Sequence, residues 1–398
     1  MSNNNPALFI EIDSINYNFV AGVYDENKNF KVVEKIVTDC KGFNKTKFTN
    51  IDEAIETIKK NVELIEQKLN FIFKEVTIII DSINCSCINI SGFKKLNGSQ
   101  ILKENISYIL NSLKLSVTES ESTKSILHIF NSQSILDGKC LDNLPIGLFG
   151  DFYNHELTFF LVGNNDLKNI KYIFNKNNLE VKNFFLRPFS EGTLLIKQKK
   201  VESFFNIKIN NDNSSLSFFD KSSFRYSENF SFGSDIIFKD IEKICSIKNE
   251  VIKDFLSSNF INKNNHFDER DLLEKKYFSN KNYRKIKKNL ILDIAQARIE
   301  EIIDIIIYDN INLNFIKKND FKIYVTIQDK LISDNFGELF KSYFSIKNND
   351  TSLIDNFNKE DLILNTANLL TYGWRKEALP IIQTKKSLIT RVFKSIFG

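Results

Sequence analysis

Ala7-Leu-Phe-Ile-Glu-Ile-Asp-Ser-Ile-Asn-Tyr-Asn-Phe-Val-Ala-Gly-Val-Tyr24 sets the architecture of the chain. Ala7–Ile12 reads as one strand and Asn18–Tyr24 as a second, joined by the tight stretch Asp13–Asn16. Working outward, Lys31–Thr38 adds a third strand. From Ile51 to Leu69, apolar residues recur at Ile51, Ala54, Ile55, Ile58, Val62, Ile65 and Leu69, the period of a helix of several turns. Val76–Ile80 is short and wholly apolar, as in a strand covered on both faces. Three strands, a helix and a buried strand predict an α/β lobe.

The whole chain is too long for one simple core. It has 398 residues, so two or more domains or a lobed fold are expected. With 42% hydrophobic residues it can bury substantial cores. Its 54 basic and 50 acidic residues leave a net charge of +4, which argues against nucleic acid as a partner held by bulk charge. Asn, Lys, Ile and Phe are abundant while Gly, Pro and Met are scarce, a skew toward A/T-rich codons that makes an asparagine cluster uninformative. The five cysteines lack metal spacing. Cys85 and Cys87 share one strand face and read as thiols in a reducing cytosol. The start is not a signal peptide, and no apolar run reaches the ~18 residues of a spanning helix. His128, His155 and His266 are scattered, with no nucleophile or ligand motif beside them. His128, between Ile126-Leu127 and Ile129-Phe130, reads as a core strand residue.

The opening order of elements resembles the first lobe of the actin, Hsp70 and sugar-kinase type. A sharper resemblance follows. Ser125–Gly138 and then Asn143–Gly150 resemble a stretch of the bacterial cell-division family FtsA, with His128, Gln133, Asp137, Pro145, Gly147 and Gly150 at matching positions. That stretch belongs to the inserted subdomain distinguishing FtsA-like proteins from actin. A helix is expected there at Gln100–Leu113. Further matches are collinear: Asp166–Lys176, Pro188–Leu195, Ser231–Asp235, Asn249–Leu256, the helix Leu290–Tyr308, the strand Phe321–Ile327 and the closing helix Leu364–Gly373. The resemblance implies an actin-like two-lobed α/β fold with subdomain 1A at 1–86, 164–200 and 355–380, and 1C at 87–163. It places 2A at 201–243 and 312–354, 2B at 244–311, and a C-terminal amphipathic membrane helix at 385–398.

The family binds ATP between its lobes, and here the phosphate turns depart from its pattern. A phosphate cradle needs small residues so that backbone N–H groups can approach the oxygens. Asp13 replaces the glycine of the first turn and Asn16 its lysine, around Ser14. Asn210, Asn211 and Asp212 replace three glycines of the second turn, and Lys208 stands where an acid is expected. Thr326-Ile327-Gln328 obstructs the adenosine turn. Asp13 and Asp212 would oppose a polyphosphate by like charge. The reading is of no ATPase and no nucleotide cofactor. Glu250 and Lys253, at i, i+3, match the family's ribose and base contacts, and a solvated helix salt bridge is the favoured alternative for them.

A second candidate site is basic. Lys275-Lys276, Arg284-Lys285, Lys287-Lys288 and Arg298 surround the start of the Leu290 helix. Taken alone this is a solvated face. The resemblance places Arg284, Arg298 and Lys276 in the subdomain that receives the short acidic and apolar C-terminal tail of the tubulin-like protein FtsZ. Guanidinium groups bind such carboxylates in a fixed bidentate orientation.

In the last stretch, Leu388, Ile389, Val392, Phe393, Ile396 and Phe397 fill one half of a helical wheel, while Arg391 and Lys394 lie on the other, after Lys385-Lys386. That segment suits an anionic membrane interface. The alternative is a helix docked on the protein's own core. Pro380 and the polar run Gln383–Lys386 set it apart from the body and favour the membrane. The resemblance then implies an adaptor that holds the FtsZ ring to the cytoplasmic face of the inner membrane at the division site, recruits later division proteins and self-associates into filaments. A pilus-assembly homologue of the PilM type is the first alternative, and an actin-fold kinase, which requires the missing glycine turns, the second.

Overall fold

The computed structural model describes residues 5–378, apart from 14, 45–46, 82–83, 259–266, 269, 279–282, 315–320 and 347–348. The expected membrane helix at 385–398 lies outside the described residues. The chain forms two compact units. The larger holds Met1–Ser86 and Asn165–Gly373, and the smaller holds Cys87–Asn164 with the segment that follows Gly373.

In the larger unit, β1 (Ala7–Ile12), β2 (Asn16–Tyr24) and β3 (Phe30–Asp39) form an antiparallel meander. A short hairpin, β4 (Phe43–Asn44) and β5 (Lys47–Phe48), leads to α1 (Ile51–Leu69). The Asn50 side chain accepts from the Glu53 N–H at the start of α1, and Asn70 closes the helix in the left-handed region at φ 48°. The helix buries Ala54, Ile58, Val62 and Ile65, the stripe that the 3.6-residue period marks. Next, β6 (Glu75–Ile80) pairs with β1 in parallel, Leu8 opposite Val76.

The smaller unit interrupts the lobe here. Its antiparallel sheet runs in the order β7 (Cys85–Lys95), β10 (Phe152–Gly163), β8 (Lys124–Leu136), β9 (Lys139–Leu141), and α2 (Lys103–Ser120) supplies Ile106, Ile109, Leu110, Leu113 and Val117 to its core. The helix expected at Gln100–Leu113 starts three residues later, because Gln100 bridges to Phe149 and the Ile101 N–H donates to the Leu148 carbonyl. The segment after Gly373 pairs with β8: Asn131 N–H donates to Lys376 O at 2.7 Å and Ala378 N–H to Ile129 O at 2.8 Å. His128 is a buried strand residue, and its Nδ1 lies 2.8 Å from Glu377 Oε1.

Back in the larger unit, α3 (Asn164–Lys176) precedes β11 (Glu180–Leu186), completing a sheet ordered β11-β6-β1-β2-β3. Then α4 (Arg187–Lys199) leads to a second meander, β12 (Phe204–Ile209), β13 (Ser214–Asp220) and β14 (Ser223–Phe230). The helices α5 (Asp235–Cys245), α6 (Asn249–Ser258) and α7 (Lys288–Ile303) follow, and a wider turn over Asp304–Tyr308 extends α7 to the expected end. The chain finishes this unit with β15 (Lys322–Ile327), α8 (Lys330–Phe344), β16 (Asp350–Leu353) and α9 (Lys359–Tyr372). This second sheet is ordered β14-β13-β12-β15-β16, with β12, β15 and β16 parallel. It repeats the first: a meander whose opening strand is central and continues into two parallel strands.

Helix α4 touches both sheets. At Gly192 a Cβ would come within 2.0 Å of the Phe219 ring, so only glycine permits this approach to β13. On its other side, Asn365 of α9 donates to Ser190 O and Thr193 Oγ1, both at 2.8 Å. Among the described residues, no helix is long and apolar enough to cross a membrane.

Candidate functional site

The carboxyl ends of parallel strands are where open α/β sheets place ligands. Here Glu11 near the end of β1, Asp81 just after β6 and Lys208 near the end of β12 meet Arg187 and Glu191 on the first turns of α4. The Lys208 ammonium is 3.1 Å from Glu191 Oε1 and 3.3 and 3.4 Å from the Asp81 oxygens. Arg187 donates through Nε to Glu191 at 2.8 Å, while its Nη1 lies 2.8 Å from Glu11 and 3.3 Å from Asp81. Glu11, Arg187, Glu191 and Lys208 are all buried.

Such burial carries a large desolvation penalty, and mutual pairing offsets it. Burial by itself would raise the Asp81 carboxyl, but Lys208 and then Arg187 outweigh it and hold that carboxyl below the ordinary aspartate range. For Arg187, burial works against the charged guanidinium, while Glu11, Asp81 and Glu191 raise it well above its ordinary value. The lysine that the sequence places at an acidic position is therefore committed to the chain's own carboxylates.

The two turns are also occupied from within. Asp13 Oδ1 accepts from the Ile15 and Asn16 N–H groups at 2.7 and 2.5 Å, and Asp13 Oδ2 accepts from Lys359 at 3.0 Å. By sequence alone, Asp13 opposes a phosphate through like charge. The structure adds a different obstacle, since this carboxylate already takes the backbone donors a phosphate would use. In the second turn, Asn210 and Asn213 bond through backbone and side chain, at 2.9 and 2.6 Å. Amides at the start of α5, on Ser234 and Asp235, donate to the carbonyls of Asn210 and Asn211. At the third position, Thr326 is buried and the Gln328 N–H donates to the Ile209 carbonyl. Ser14 lies outside the described residues. Glu250 and Lys253 are both exposed on α6, with the Lys253 ammonium 5.3 Å from the Phe238 ring centroid.

The basic surface resolves into unlike parts. Arg284 is exposed, and its Nη1 donates to the Ser246 carbonyl at the end of α5 at 3.4 Å. Arg298 of α7 is engaged by Asp240 of α5 and by Glu301. The two α5 partners are six residues apart, about 9 Å along the helix axis, so the arginines flank one face of α5 without sharing a pocket. Lys276 is paired with Glu274 at 2.5 Å and lies over the Tyr277 ring at 4.9 Å. Sequence reasoning missed the apolar members of this region: Ile244 is 60% exposed, Leu290 40% and Tyr283 38%. Their neighbours along the chain are basic, a pattern that could have drawn attention to them.

No family model matches the chain, and no curated protein matches it. Solved structures do resemble it. A chain of the PilM–PilN type IV pilus biogenesis complex superposes with a TM-score of 0.51 at 10% identity, over 92% of this chain and 98% of its own. MreB 5 of Spiroplasma citri bound to AMPPNP gives 0.45 at 10% identity over 92% and 96%. The ethanolamine utilization protein EutJ from Carboxydothermus hydrogenoformans gives 0.42 at 9% identity over 92% and 90%. The first of these, with the repeated sheet plan, carries one conclusion: the chain has an actin-like ATPase fold.

Proposed function

We propose that the chain is a non-enzymatic adaptor of the FtsA type, which ties a division-ring polymer to the cytoplasmic face of the inner membrane and recruits later division proteins. The observation that carries the reading is Arg284, an exposed guanidinium among the exposed apolar residues Ile244, Tyr283 and Leu290. A short acidic and apolar peptide such as the FtsZ tail matches that mixture, with carboxylate on guanidinium and aliphatic groups on the apolar side chains. The self-occupied turns and the Lys208 cluster support a scaffold in place of an ATPase. The 385–398 segment supplies the membrane contact, with Leu388, Ile389, Val392, Phe393, Ile396 and Phe397 in the interface and Arg391 and Lys394 on its headgroup side. Self-association into filaments would multiply these contacts.

The likeness to a chain of the PilM–PilN complex motivates a second reading, in which the scaffold is the same and the partner is the cytosolic tail of a transmembrane protein. The ligand of the Arg284 surface separates the two. The test is sedimentation of the full chain with anionic liposomes and a fluorescent FtsZ C-terminal tail peptide. Peptide carried down only in the presence of the protein supports the adaptor. Protein that pellets without the peptide removes the FtsZ assignment, and protein that stays in solution removes the membrane one.

A further inference from the structure

The smaller unit carries an apolar surface that its core does not use. Leu144, Ile146, Leu148, Phe149 and Phe152, on the stretch between β9 and β10, are 36–70% exposed, and Leu102, just before α2, is 50% exposed. This stretch is not loosely held. The Gly147 N–H donates to Ile101 O and the Ile101 N–H to Leu148 O, both at 2.8 Å, while Gln100 Nε2 donates to Gly147 O at 2.7 Å. Gly147 sits at φ +89°, which lets the loop turn outward. The Asp137 carboxylate anchors the far end by accepting from the Asp151 and Phe152 amides. A fixed loop that presents aliphatic and aromatic side chains to solvent marks a contact surface.

We infer that this loop enters the same lipid interface as the C-terminal segment, as a second, weaker membrane contact; the inference rests on the membrane reading above. The occupant is argued from where the chain leaves the unit. Lys376 donates to the Asp142 carbonyl at 2.6 Å, at the start of the loop, and Ala378 contributes to the core of the same unit. From Ala378 to Lys385 is seven residue steps, about 25 Å at full extension. From Ile129, which bonds Ala378, to Leu136 at the loop end of β8 is also seven residues, about 24 Å of strand. The C-terminal segment therefore stays within reach of the loop's end of the unit, and a membrane that holds one can receive the other. The Lys95 ammonium, 6.0 Å from the Phe152 ring centroid, suits the boundary, with its charge toward headgroups and the ring toward acyl chains.

Phe149, 70% exposed, can be changed without disturbing the core. Full-length chain carrying Phe149→Glu should partition onto phosphatidylglycerol–phosphatidylethanolamine vesicles about tenfold more weakly than wild type. Phe149→Trp should show a vesicle-dependent blue shift, quenched by brominated acyl chains, beyond any change from Trp374 in the wild type. If wild type binds vesicles while Phe149→Glu binds equally well and the added indole of Phe149→Trp does not respond, the loop inference is overturned and the C-terminal contact stands. If Phe149→Glu instead abolishes self-association in lipid-free solution and leaves vesicle binding intact, the surface joins copies of the chain and the inference is again overturned. A wild-type chain that binds no vesicles overturns the membrane reading itself and this inference with it.

Discussion

Lys208, on the central strand of the second sheet, places its ammonium 3.1 Å from Glu191 on the helix that touches both sheets. That pair, extended by Asp81, Arg187 and Glu11, couples the two halves of the larger unit by charge where the parallel strands end. Lys208→Met should destabilise the protein by about 3–5 kcal/mol in urea unfolding, because it leaves carboxylates buried without their partner. A loss under about 1 kcal/mol would mean the carboxylates find water instead.

Nucleotide should find neither amides nor space. Isothermal calorimetry with ATP–Mg is expected to give no measurable heat, and phosphate release should match a blank without protein. Low-micromolar affinity would show that the Asp13 carboxylate yields its backbone donors to a ligand.

At the basic surface, the three candidate residues should behave differently. Arg284→Ala should weaken FtsZ-tail binding by about 1–3 kcal/mol, as expected for a charge-assisted bond. Lys276→Ala removes an exposed charge already paired with Glu274 and should cost less. Arg298→Ala releases Asp240 and Glu301, so its effect should appear in thermal stability before it appears in affinity. Equal small effects of all three in fluorescence anisotropy would point to diffuse attraction and no defined site.

Acid should weaken the smaller unit through His155, which is buried on β10 with both ring nitrogens unpartnered among the described residues. Burial pushes its pKa down to about 4. The unfolded histidine titrates near 6.5, so above that pH both states are neutral and the residue contributes no pH dependence. Between about 6.5 and about 4 the unfolded state gains a proton that the folded state refuses. Stability should fall over that window by about 3 kcal/mol and level off below it. His155→Gln, which does not titrate, should flatten that part of the pH–stability curve; an unchanged slope would assign the acid sensitivity elsewhere.

Truncation after Pro380 should leave a folded protein that no longer sediments with anionic liposomes. Phe393→Glu should do the same, and Ser395→Glu, on the opposite side of the wheel, should only weaken binding. Six apolar side chains at about 1 kcal/mol each on partial burial, less the ordering of a helix unstable alone, give reversible attachment of a single copy. Unfolding or aggregation of the truncated chain would instead make the segment part of the core.

Local periodicity makes much of the fold legible. The helix at Ile51–Leu69 has the expected bounds because its cap, its apolar stripe and its closing asparagine all lie within or beside the segment. Helix α2 starts later than expected because Gln100 is recruited by Phe149, 49 residues away, which no local pattern records. Lys208 stands out in the sequence as a departure from the family pattern, but its partners come from β6 and α4 and need the fold to bring them together. The same holds for Arg298, whose charge is conspicuous in the sequence while its engagement by Asp240, 58 residues earlier, is not.

The repeated sheet plan has a consequence for how the halves recognise each other. Each sheet opens with a six-residue strand, Ala7–Ile12 or Phe204–Ile209, and the fifth residue of each enters the charged cluster. That residue is glutamate in one and lysine in the other. Two halves drawn on one plan thus carry opposite polarity at equivalent positions, like the tongue and groove of a joint. Setting either half against a copy of itself would oppose like charges in a buried place, so the sign difference directs each half toward its unlike counterpart.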